Sequence, residues 1–557
     1  MKTFLAALLL AGPLPAAAGD VLLDALKAEL ARSTSALASA ETAPLYHLSY
    51  EVYDSSSLYL SAKLGSVQAE QFSRGRTLDA DARVGSFALD NNHEFKGGGV
   101  RNSRRQESAR LPVEDDPAAI RAGIWALTDR AYKAAQDQYA RVKTNRSVTA
   151  EEEDASGDFS PAEPASFYEK ARFPELDLPA LRAMLKRLSS RMLGREHIYN
   201  SEVVLAADSL NKYIVASEGA SIVTGNSFLR LIVTLYTRTP DGMDLSRTRI
   251  YDSDGTSPLP AENAIAADLD AAMAELEALR AAPPEQPYSG PVLLGSRAAG
   301  VFFHEILGHR LEGHRQKSEQ SGQTFAKKVG QPVMPDFLSV YDDPSVRELN
   351  GQFLRGWYRY DDEGVAARRA SLVEKGVLKG FLMSRSPIKG FPASNGHGRR
   401  SQGRGVVARM GNLIVESSNK APAAELRARL LEEARKAGKP YALYVTDIAG
   451  GFTITDRDLP QSFSVEATMA YKIFADGRRD EPVRGLNLIG TPLQTFSRIL
   501  VTGDDAEPFN GSCGAESGWV PVAAVSPSLL FSEMETEKVK KSSAKPPVLP
   551  PPFKEKP

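Results

Sequence analysis

Residues 303–309 (FHEILGH) place two histidines and a glutamate within seven positions of a chain that has only seven histidines. In the common His-Glu-x-x-His zinc motif, the two histidines are four residues apart on one helix face and the glutamate polarises a water molecule. Here His304 and His309 are five residues apart, about 140° around a regular helix at roughly 100° per residue. The sequence therefore predicts a metal site only if the helix ends in a left-handed Gly308 or bulges by one residue near it.

The first eighteen residues have the pattern of a signal peptide. Lys2 precedes a short apolar run at residues 4–11, and residues 16–18 (AAA) form an A-x-A site that predicts cleavage before Gly19. The alternatives are a buried N-terminal helix and an uncleaved anchor, but the apolar run is too short to span a bilayer. We therefore expect an exported protein, in the bacterial periplasm.

The composition gives no indication of a nucleic-acid partner. The formal net charge is −2, and no basic run is long enough to suggest nucleic-acid binding. Hydrophobic residues make up 42% of the chain and charged residues 25%, as is ordinary for a soluble globular protein.

The helical and alternating patterns predict an α+β chain, with an α/β N-terminal domain at residues 19–286 and a β-rich C-terminal domain at residues 287–540 that carries the metal-site helix. The boundary lies at residues 283–287 (PPEQP), whose prolines prevent helix continuation. The acidic segment 145–166 is expected to be a flexible surface segment, and the Pro/Lys tail 541–557 to be disordered or extended. Helices are expected at residues 20–37, 117–143, 178–193, 260–281, 296–307 and 422–437.

A hydrolytic zinc site needs three protein ligands and one open position for water. His304 and His309 supply two ligands, and the sequence offers two candidates for the third. One is His314, five residues after His309, and the other is Cys513, the only cysteine, which has glycines nearby on both sides. Sequence spacing does not choose between them.

Several segments resemble the TldD/PmbA family of metallopeptidases, specifically its active TldD-like branch. The resemblance runs from about residue 40 to residue 535, and the metal-site segment VLLGSRAAGVFFHEILGHRLEGHRQ is its centre. Four further segments carry it: RTLDADARVGSFALDNNHEF, YDDEGVAARRASLVEKGVLKGFL, EPVRGLNLIGTPLQTFSRI and NGSCGAES. The chain departs from the family at His314, where relatives usually have an acidic residue, and in the Gly-Ala-Glu that follows Cys513.

The resemblance implies a zinc-dependent peptidase. It implies that His304, His309 and Cys513 bind zinc and that Glu305 is the general base that activates the zinc-bound water. It also implies an α/β N-terminal and a β-rich C-terminal domain. The expected assembly is a two-subunit particle enclosing a cavity, either a homodimer or a heterodimer with a PmbA-like subunit. Its substrates would be unfolded or extended peptides.

The segment GHGRRSQGRG, residues 396–405, gives a further hypothesis about the substrate. Its glycines would let a peptide backbone approach, and Arg399 or Arg400 would meet a C-terminal carboxylate; an exposed basic loop is the alternative. The alternative function for the whole chain is a metal-stabilised, catalytically silent scaffold subunit of such a complex. Glu305 favours the peptidase, because a structural zinc site has no need of a general base.

Overall fold

A computed structural model of the protein describes residues 19–39, 43–95, 106–148, 154–255, 258–318, 321–322, 324–459, 462–539 and 545–549. The predicted signal peptide, residues 149–153 of the acidic segment and most of the Pro/Lys tail lie outside these residues. Within them, no helix combines the length and the apolar character needed to cross a membrane. Helices and strands occur in both halves of the chain, which confirms the α+β prediction.

The N-terminal half is built on one seven-stranded sheet with the order β3-β2-β1-β5-β6-β4, in which β7 also pairs with β6. Its helices among the described residues are α1 Val21–Leu37, α2 Pro117–Val148, α3 Leu178–Ser190 and α4 Glu262–Ala281. Its strands are β1 Leu45–Lys63, β2 Ser66–Val84, β3 Glu107–Arg110, β4 Ser166–Tyr168, β5 Asn200–Ala216, β6 Ser221–Arg238 and β7 Asp244–Ser253.

Alternation along these strands gives the sheet one apolar and one polar face. On β1, Leu48, Tyr50 and Val52 pack under α1 and α2, and Leu58 and Leu60 continue the same face under α3 and α4. Successive side chains of a strand point to opposite faces, so the residues between them form the other face. That face carries buried charges that meet the C-terminal half.

The C-terminal half contains two larger sheets. Five strands of the first, β17, β8, β24, β20 and β18, pair in that order and close into a ring through β18 and β17, while the second has the order β13-β12-β9-β16-β23-β22. Its helical segments are α5 Ser296–Ile306, a 3-10 turn Gly308–Leu311, α6 His314–Lys317, α7 Ala423–Lys436 and α8 Pro492–Ser497.

The strands of this half follow in chain order: β8 Tyr288–Leu294, β9 Leu338–Asp342, β10 Glu348–Leu349, β11 Gln352–Phe353, β12 Ala370–Glu374, β13 Val377–Leu378, β14 Gly398–Arg399, β15 Val407–Ala408, β16 Asn412–Ser417, β17 Tyr441–Thr453, β18 Phe463–Phe474, β19 Glu481–Val483, β20 Leu486–Gly490, β21 Ile499–Thr502, β22 Glu507–Ala515, β23 Gly518–Ser526 and β24 Leu529–Lys538. Helix α5 lies between the two sheets, in contact with β17 of one and with β22 and β23 of the other. All of its residues except Arg297 are buried, as expected for a helix that is apolar on most of its surface.

Most described residues of the acidic segment lie at the surface, but residues 158–160 are buried in the fold. Its first residues extend α2 to Val148. Asp158, Phe159 and Ser160 are buried, and the Phe159 ring lies beneath the guanidinium of Arg385 from the C-terminal half, 3.9 Å from its carbon atom. The acidic residues indicate a surface segment, but its single phenylalanine, Phe159, anchors this part of the chain in the fold.

Candidate metal centre

Helix α5 breaks next to Gly308, as the spacing of the two histidines requires, but the break does not use a left-handed glycine. The α-helix ends at Ile306, Leu307 is its C-cap, and the chain tightens into the 3-10 turn from Gly308. Gly308 is not among the described residues with positive φ, so the left-handed prediction is wrong. A glycine is needed there for a different reason, because a Cβ atom would lie well under 3.0 Å from Sδ of the buried Met410.

The change of helix type brings His309 back beside His304. The two ring centroids are 5.0 Å apart at an interplanar angle of 83°. Cys513, on β22, places its Sγ 3.2 Å from His309 Nε2. Within the described part of the chain, these three buried residues form the one group of potential ligands whose donor atoms all lie within 4.8 Å of one another.

The charge state of the cluster suits a cation. Burial favours the neutral thiol of Cys513, but the positive charges of His309 and His304 hold its pKa well below the ordinary value. Burial also lowers the pKa of His309, but the thiolate and Glu312 more than offset it and raise that pKa to about 10. Two imidazoles and a thiolate are ligands that zinc prefers, and a metal ion would take the place of the ring protons. The donor set therefore fits zinc.

Glu305 lies at the edge of this cluster. Its Oε2 atom is 4.0 Å from His309 Nε2, and its side chain is largely buried. Gly451, on β17, packs against it so closely that a Cβ atom there would overlap Glu305 Cγ. The buried Arg310 donates to the Glu305 backbone carbonyl at 3.0 Å and to Thr453 Oγ1 at 2.5 Å, which joins the end of α5 to the end of β17.

Glu312 supports the cluster from outside and was not among the predicted site residues. Its Oε1 lies 3.2 Å from His309 Nδ1 and 3.3 Å from Arg409 Nε, and its Oε2 accepts from Arg315 Nε at 2.8 Å. Arg409 also donates to the Cys513 carbonyl at 2.8 Å. Glu312 and Arg409 are fully buried. Burial alone would raise the pKa of Glu312, but Arg315 and His309 lower it to about 2, so the carboxylate is charged.

The structure brings Cys513, and not His314, to the two histidines. The His314 ring pairs instead with Glu516, which also accepts from Arg315 Nη2 at 2.9 Å. Burial disfavours the charged carboxylate of Glu516, but His314 and Arg315 shift its pKa far below the ordinary value. The histidine and glutamate that depart from the family pattern are therefore partners of each other at the border of the site.

Arg399 and Arg400 are buried and already have partners within the chain. Arg399 Nη1 donates to the carbonyls of Met410 and Pro521 at 2.6 and 2.7 Å. Arg400 Nε donates to Glu51 Oε2 at 2.8 Å, across the boundary between the two halves. The binding of a peptide carboxylate by either arginine stays a prediction, and it would require breaking these contacts.

Known proteins that resemble this chain are metallopeptidases, in agreement with the candidate metal centre. Residues 287–538 match the model of the PmbA/TldA metallopeptidase C-terminal domain. A metalloprotease of Archaeoglobus fulgidus is 32% identical over 250 residues, which are 45% of this chain and 53% of that protein. A protein of Saccharolobus solfataricus named zinc metalloprotease TldD homolog is 24% identical over 247 residues, 44% of this chain and 51% of its own length. The chain spans about half the length of these two relatives.

A solved structure shares the fold along nearly the whole chain. TldE from Thermococcus kodakarensis superposes with a TM-score of 0.61 at 15% sequence identity, covering 92% of this chain and all of that protein. At this identity the likeness concerns the fold alone. The family model matches the half that contains His304, His309 and Cys513.

Proposed function

Because this chain belongs to the TldD/PmbA family of metallopeptidases, we propose that it is a zinc-dependent peptidase that hydrolyses peptide bonds in extended peptides. The observation that carries this proposal is the position of Glu305, whose carboxylate lies 4.0 Å from the cluster-facing nitrogen of His309. A structural zinc site needs no carboxylate beside its ligands, whereas hydrolysis requires a general base.

The residues of the cluster divide the chemistry between them. Zinc held by His304, His309 and Cys513 would act as a Lewis acid on the carbonyl of the scissile bond. Glu305 takes a proton from a water molecule as the water oxygen attacks the carbonyl carbon. It then gives that proton to the amine nitrogen as the C–N bond breaks, which regenerates the carboxylate.

The edge of β17 beside Glu305 supports an extended substrate. Among the described strands, β8 pairs with β17 only as far as Val445, and only β18 accompanies it onward to Thr453. Gly450 lies on this open stretch with nothing within 4 Å of the position of a Cβ atom, so another backbone can approach it closely. A folded substrate would not present its backbone to such an edge.

The proposal includes export and assembly. N-terminal sequencing of the protein recovered from the periplasm would begin at Gly19 if the predicted cleavage occurs. Light scattering of the purified protein, alone and with a PmbA-like subunit, would distinguish a homodimer, a heterodimer and a monomer. A single-chain mass in both samples would contradict the proposed two-subunit particle.

The test of the peptidase compares the wild type with Glu305→Gln. The mature protein is purified, its zinc content is measured by mass spectrometry, and cleavage of an unstructured protein such as casein is followed. Glu305→Gln should keep its zinc and lose about 10²- to 10⁴-fold in kcat/KM, the usual contribution of a general base. If both proteins bind zinc and both are inert, the chain is a metal-stabilised scaffold rather than a peptidase.

A second variant tests the ligand set. Cys513→Ala should lose zinc on dialysis under conditions where the wild type retains it, because only two protein ligands would remain. Zinc at full occupancy in this variant would show that another residue completes the site.

A further inference from the structure

Arg355 lies at the junction between the N-terminal sheet and the strand that carries Cys513. It follows β11, and its backbone N–H donates to Asn510 Oδ1 of β22 at 3.0 Å. Its Nη1 contacts the Gly511 carbonyl at 3.4 Å and Ser512 Oγ at 3.1 Å. On the other side, its guanidinium carbon is 4.6 Å from the centre of the Phe228 ring of β6.

The guanidinium of Arg355 forms no ion pair among the described residues. The neighbouring Arg230 is neutralised, because Nε and Nη2 each donate to a carboxylate oxygen of Asp252 at 2.6 Å. Arg355 has only a carbonyl and a hydroxyl as side-chain hydrogen-bond partners. Burial, and then the charge of Arg230, lower the pKa of Arg355 to about 10, although the carboxylates of Asp252 and Asp208 act in the opposite direction. A carboxylate at this position would relieve both effects.

Arg355 is also close to the candidate metal centre along the chain. Gly511 and Ser512 precede Cys513 by two and one residues, which is about 3–7 Å of strand at roughly 3.3 Å per residue. β22 is the last strand of its sheet, with β23 on one side only among the described strands. Successive side chains of a strand point to opposite faces, so Ser512 and the Arg355 guanidinium lie on the face of β22 away from Cys513. An extended peptide held by Arg355 would therefore reach Glu305 around the free edge of this strand.

We propose that Arg355 binds the carboxylate of the peptide substrate and so fixes which bond is cut. The proposal rests on the peptidase function above. The carboxylate comes from the C-terminus of the peptide or from an aspartate or glutamate side chain, since a guanidinium binds both in the same bidentate manner. This role differs from the one predicted for Arg399 and Arg400, whose guanidinium groups are buried and engaged.

The experiment uses four N-acetylated alanine-rich peptides of equal length. Two end in a free carboxylate or an amide, and two are amides that carry one aspartate or one asparagine. The zinc-loaded wild type, Arg355→Gln and Arg355→Lys are compared. The matched control is Arg359→Gln. Arg359 follows Arg355 in the same loop and also lies over an aromatic ring, that of Phe167, but it is half exposed and paired with Glu169. Thermal unfolding checks that all variants fold.

The wild type should cut one of the carboxylate peptides faster than its uncharged partner, and which pair differs identifies the source of the anion. Arg355→Gln should remove that preference by lowering kcat/KM about 10- to 100-fold for the charged peptide only, as expected for the loss of a charge-assisted hydrogen bond. Arg355→Lys should recover part of it, and Arg359→Gln should match the wild type. An equal effect of Arg355→Gln on all four peptides, or no effect on any, would overturn the proposal.

Binding separates this inference from the peptidase function itself. The affinity of the same peptides is measured by calorimetry for zinc-loaded Glu305→Gln and for Glu305→Gln combined with Arg355→Gln. One outcome is that the wild type cleaves none of the peptides while Arg355→Gln still selectively weakens binding of the carboxylate peptide. In that case only the peptidase function fails. If cleavage proceeds but binding of acid and amide peptides is equal in both proteins, only the role of Arg355 fails.

Discussion

At the scale of single residues, Glu312 connects His309 to the arginines that surround the candidate metal centre. In a 3-10 turn, residues three apart lie directly above one another, so the turn that begins at Gly308 stacks Glu312 beneath His309. The carboxylate lies 3.2 Å from His309 Nδ1, which leaves Nε2 directed at Cys513. A histidine ligand whose second nitrogen is held in this way is fixed in tautomer and orientation.

Replacement of Glu312 by glutamine should therefore weaken zinc binding. We expect Glu312→Gln to lower the zinc affinity about 10- to 100-fold, the usual effect of removing such a partner. Competition with a chromogenic chelator measures this without reference to peptidase activity. Glu416→Gln, at a largely exposed carboxylate away from the cluster, is the control. An unchanged affinity in Glu312→Gln would show that the position of His309 is set by packing alone.

The sequence predicts the ligands better than it predicts what orients them. His304, His309 and Cys513 can be predicted because histidine and cysteine are the residue types that bind zinc, and because the family resemblance points to the same three residues. Glu312 lies in the same segment of the sequence, but its contact with His309 depends on the 3-10 turn, which the residue spacing alone does not reveal. Arg409, which joins Glu312 to the Cys513 carbonyl, comes from a distant strand region and gives no local signal.

At the scale of elements, the transition from α5 to the 3-10 turn requires the absence of a side chain at position 308. Gly308→Ala would place a Cβ atom against Met410 Sδ, and Met410 is fully buried and cannot move without disturbing its neighbours. Overpacking of this kind destabilises proteins by about 1–3 kcal/mol. We expect that loss of unfolding free energy in urea, together with weaker zinc binding.

A double-mutant cycle with Met410→Ala isolates the cause. If the clash is responsible, the double variant is more stable than the sum of the two single losses, since adjacent residues do not add independently. Strict additivity would instead indicate that the turn tolerates alanine and that each substitution acts on its own.

The elements themselves were predicted with uneven success, for physical reasons. Helix α1, expected at residues 20–37, begins after Asp20, whose carboxylate accepts from the N–H groups of Leu22 and Leu23 at 3.1 Å. Strand β2 begins at Ser66, ten residues before the segment RTLDADARV, in which apolar residues alternate. Its first nine residues are exposed and lack apolar alternation, and they are held extended by pairing with β1.

At the scale of the whole molecule, buried ion pairs join the polar face of the N-terminal sheet to the C-terminal half. Arg400 binds Glu51 and lies 3.2 Å from Asp79, and all three side chains are buried. Removing one partner of a buried pair leaves an uncompensated charge and costs about 3–5 kcal/mol. We therefore expect Arg400→Met to lower the free energy of unfolding by that amount, measured in denaturant.

Arg400→Met also tests the predicted role of Arg400 in substrate binding. If the guanidinium serves only the junction, the variant keeps its kcat/KM for peptides at temperatures where it remains folded, and Glu51→Gln in the same chain restores part of the stability. A folded variant that loses cleavage of peptides with a free C-terminus, but not of their amides, would instead support the binding role.

A second ionic cluster at this junction, around the partly buried Glu218, makes the stability of the molecule sensitive to acid. Glu218, in the turn between β5 and β6, accepts from Arg385 Nη2 at 2.6 Å, and His47 Nδ1 lies 3.0 Å from the same carboxylate oxygen. Burial alone would raise the pKa of Glu218, but His47 and Arg385 lower it from 4.5 to about 2. The unfolded chain therefore takes up a proton at this carboxylate at a higher pH than the folded protein does.

Because the pKa is depressed in the folded state, the contribution of Glu218 is complete above pH 4.5 and is lost as the pH falls toward 2. Burial also lowers the pKa of His47, so that ring adds a loss in the same direction that begins near pH 6.5. Urea unfolding at a series of pH values should show the wild type losing stability more steeply than Glu218→Gln between pH 4.5 and 2, with the two proteins converging at the acid end. Glu374→Gln, at an exposed carboxylate, should follow the wild type throughout. Parallel curves for the wild type and Glu218→Gln would mean that the junction does not sense acid through this carboxylate.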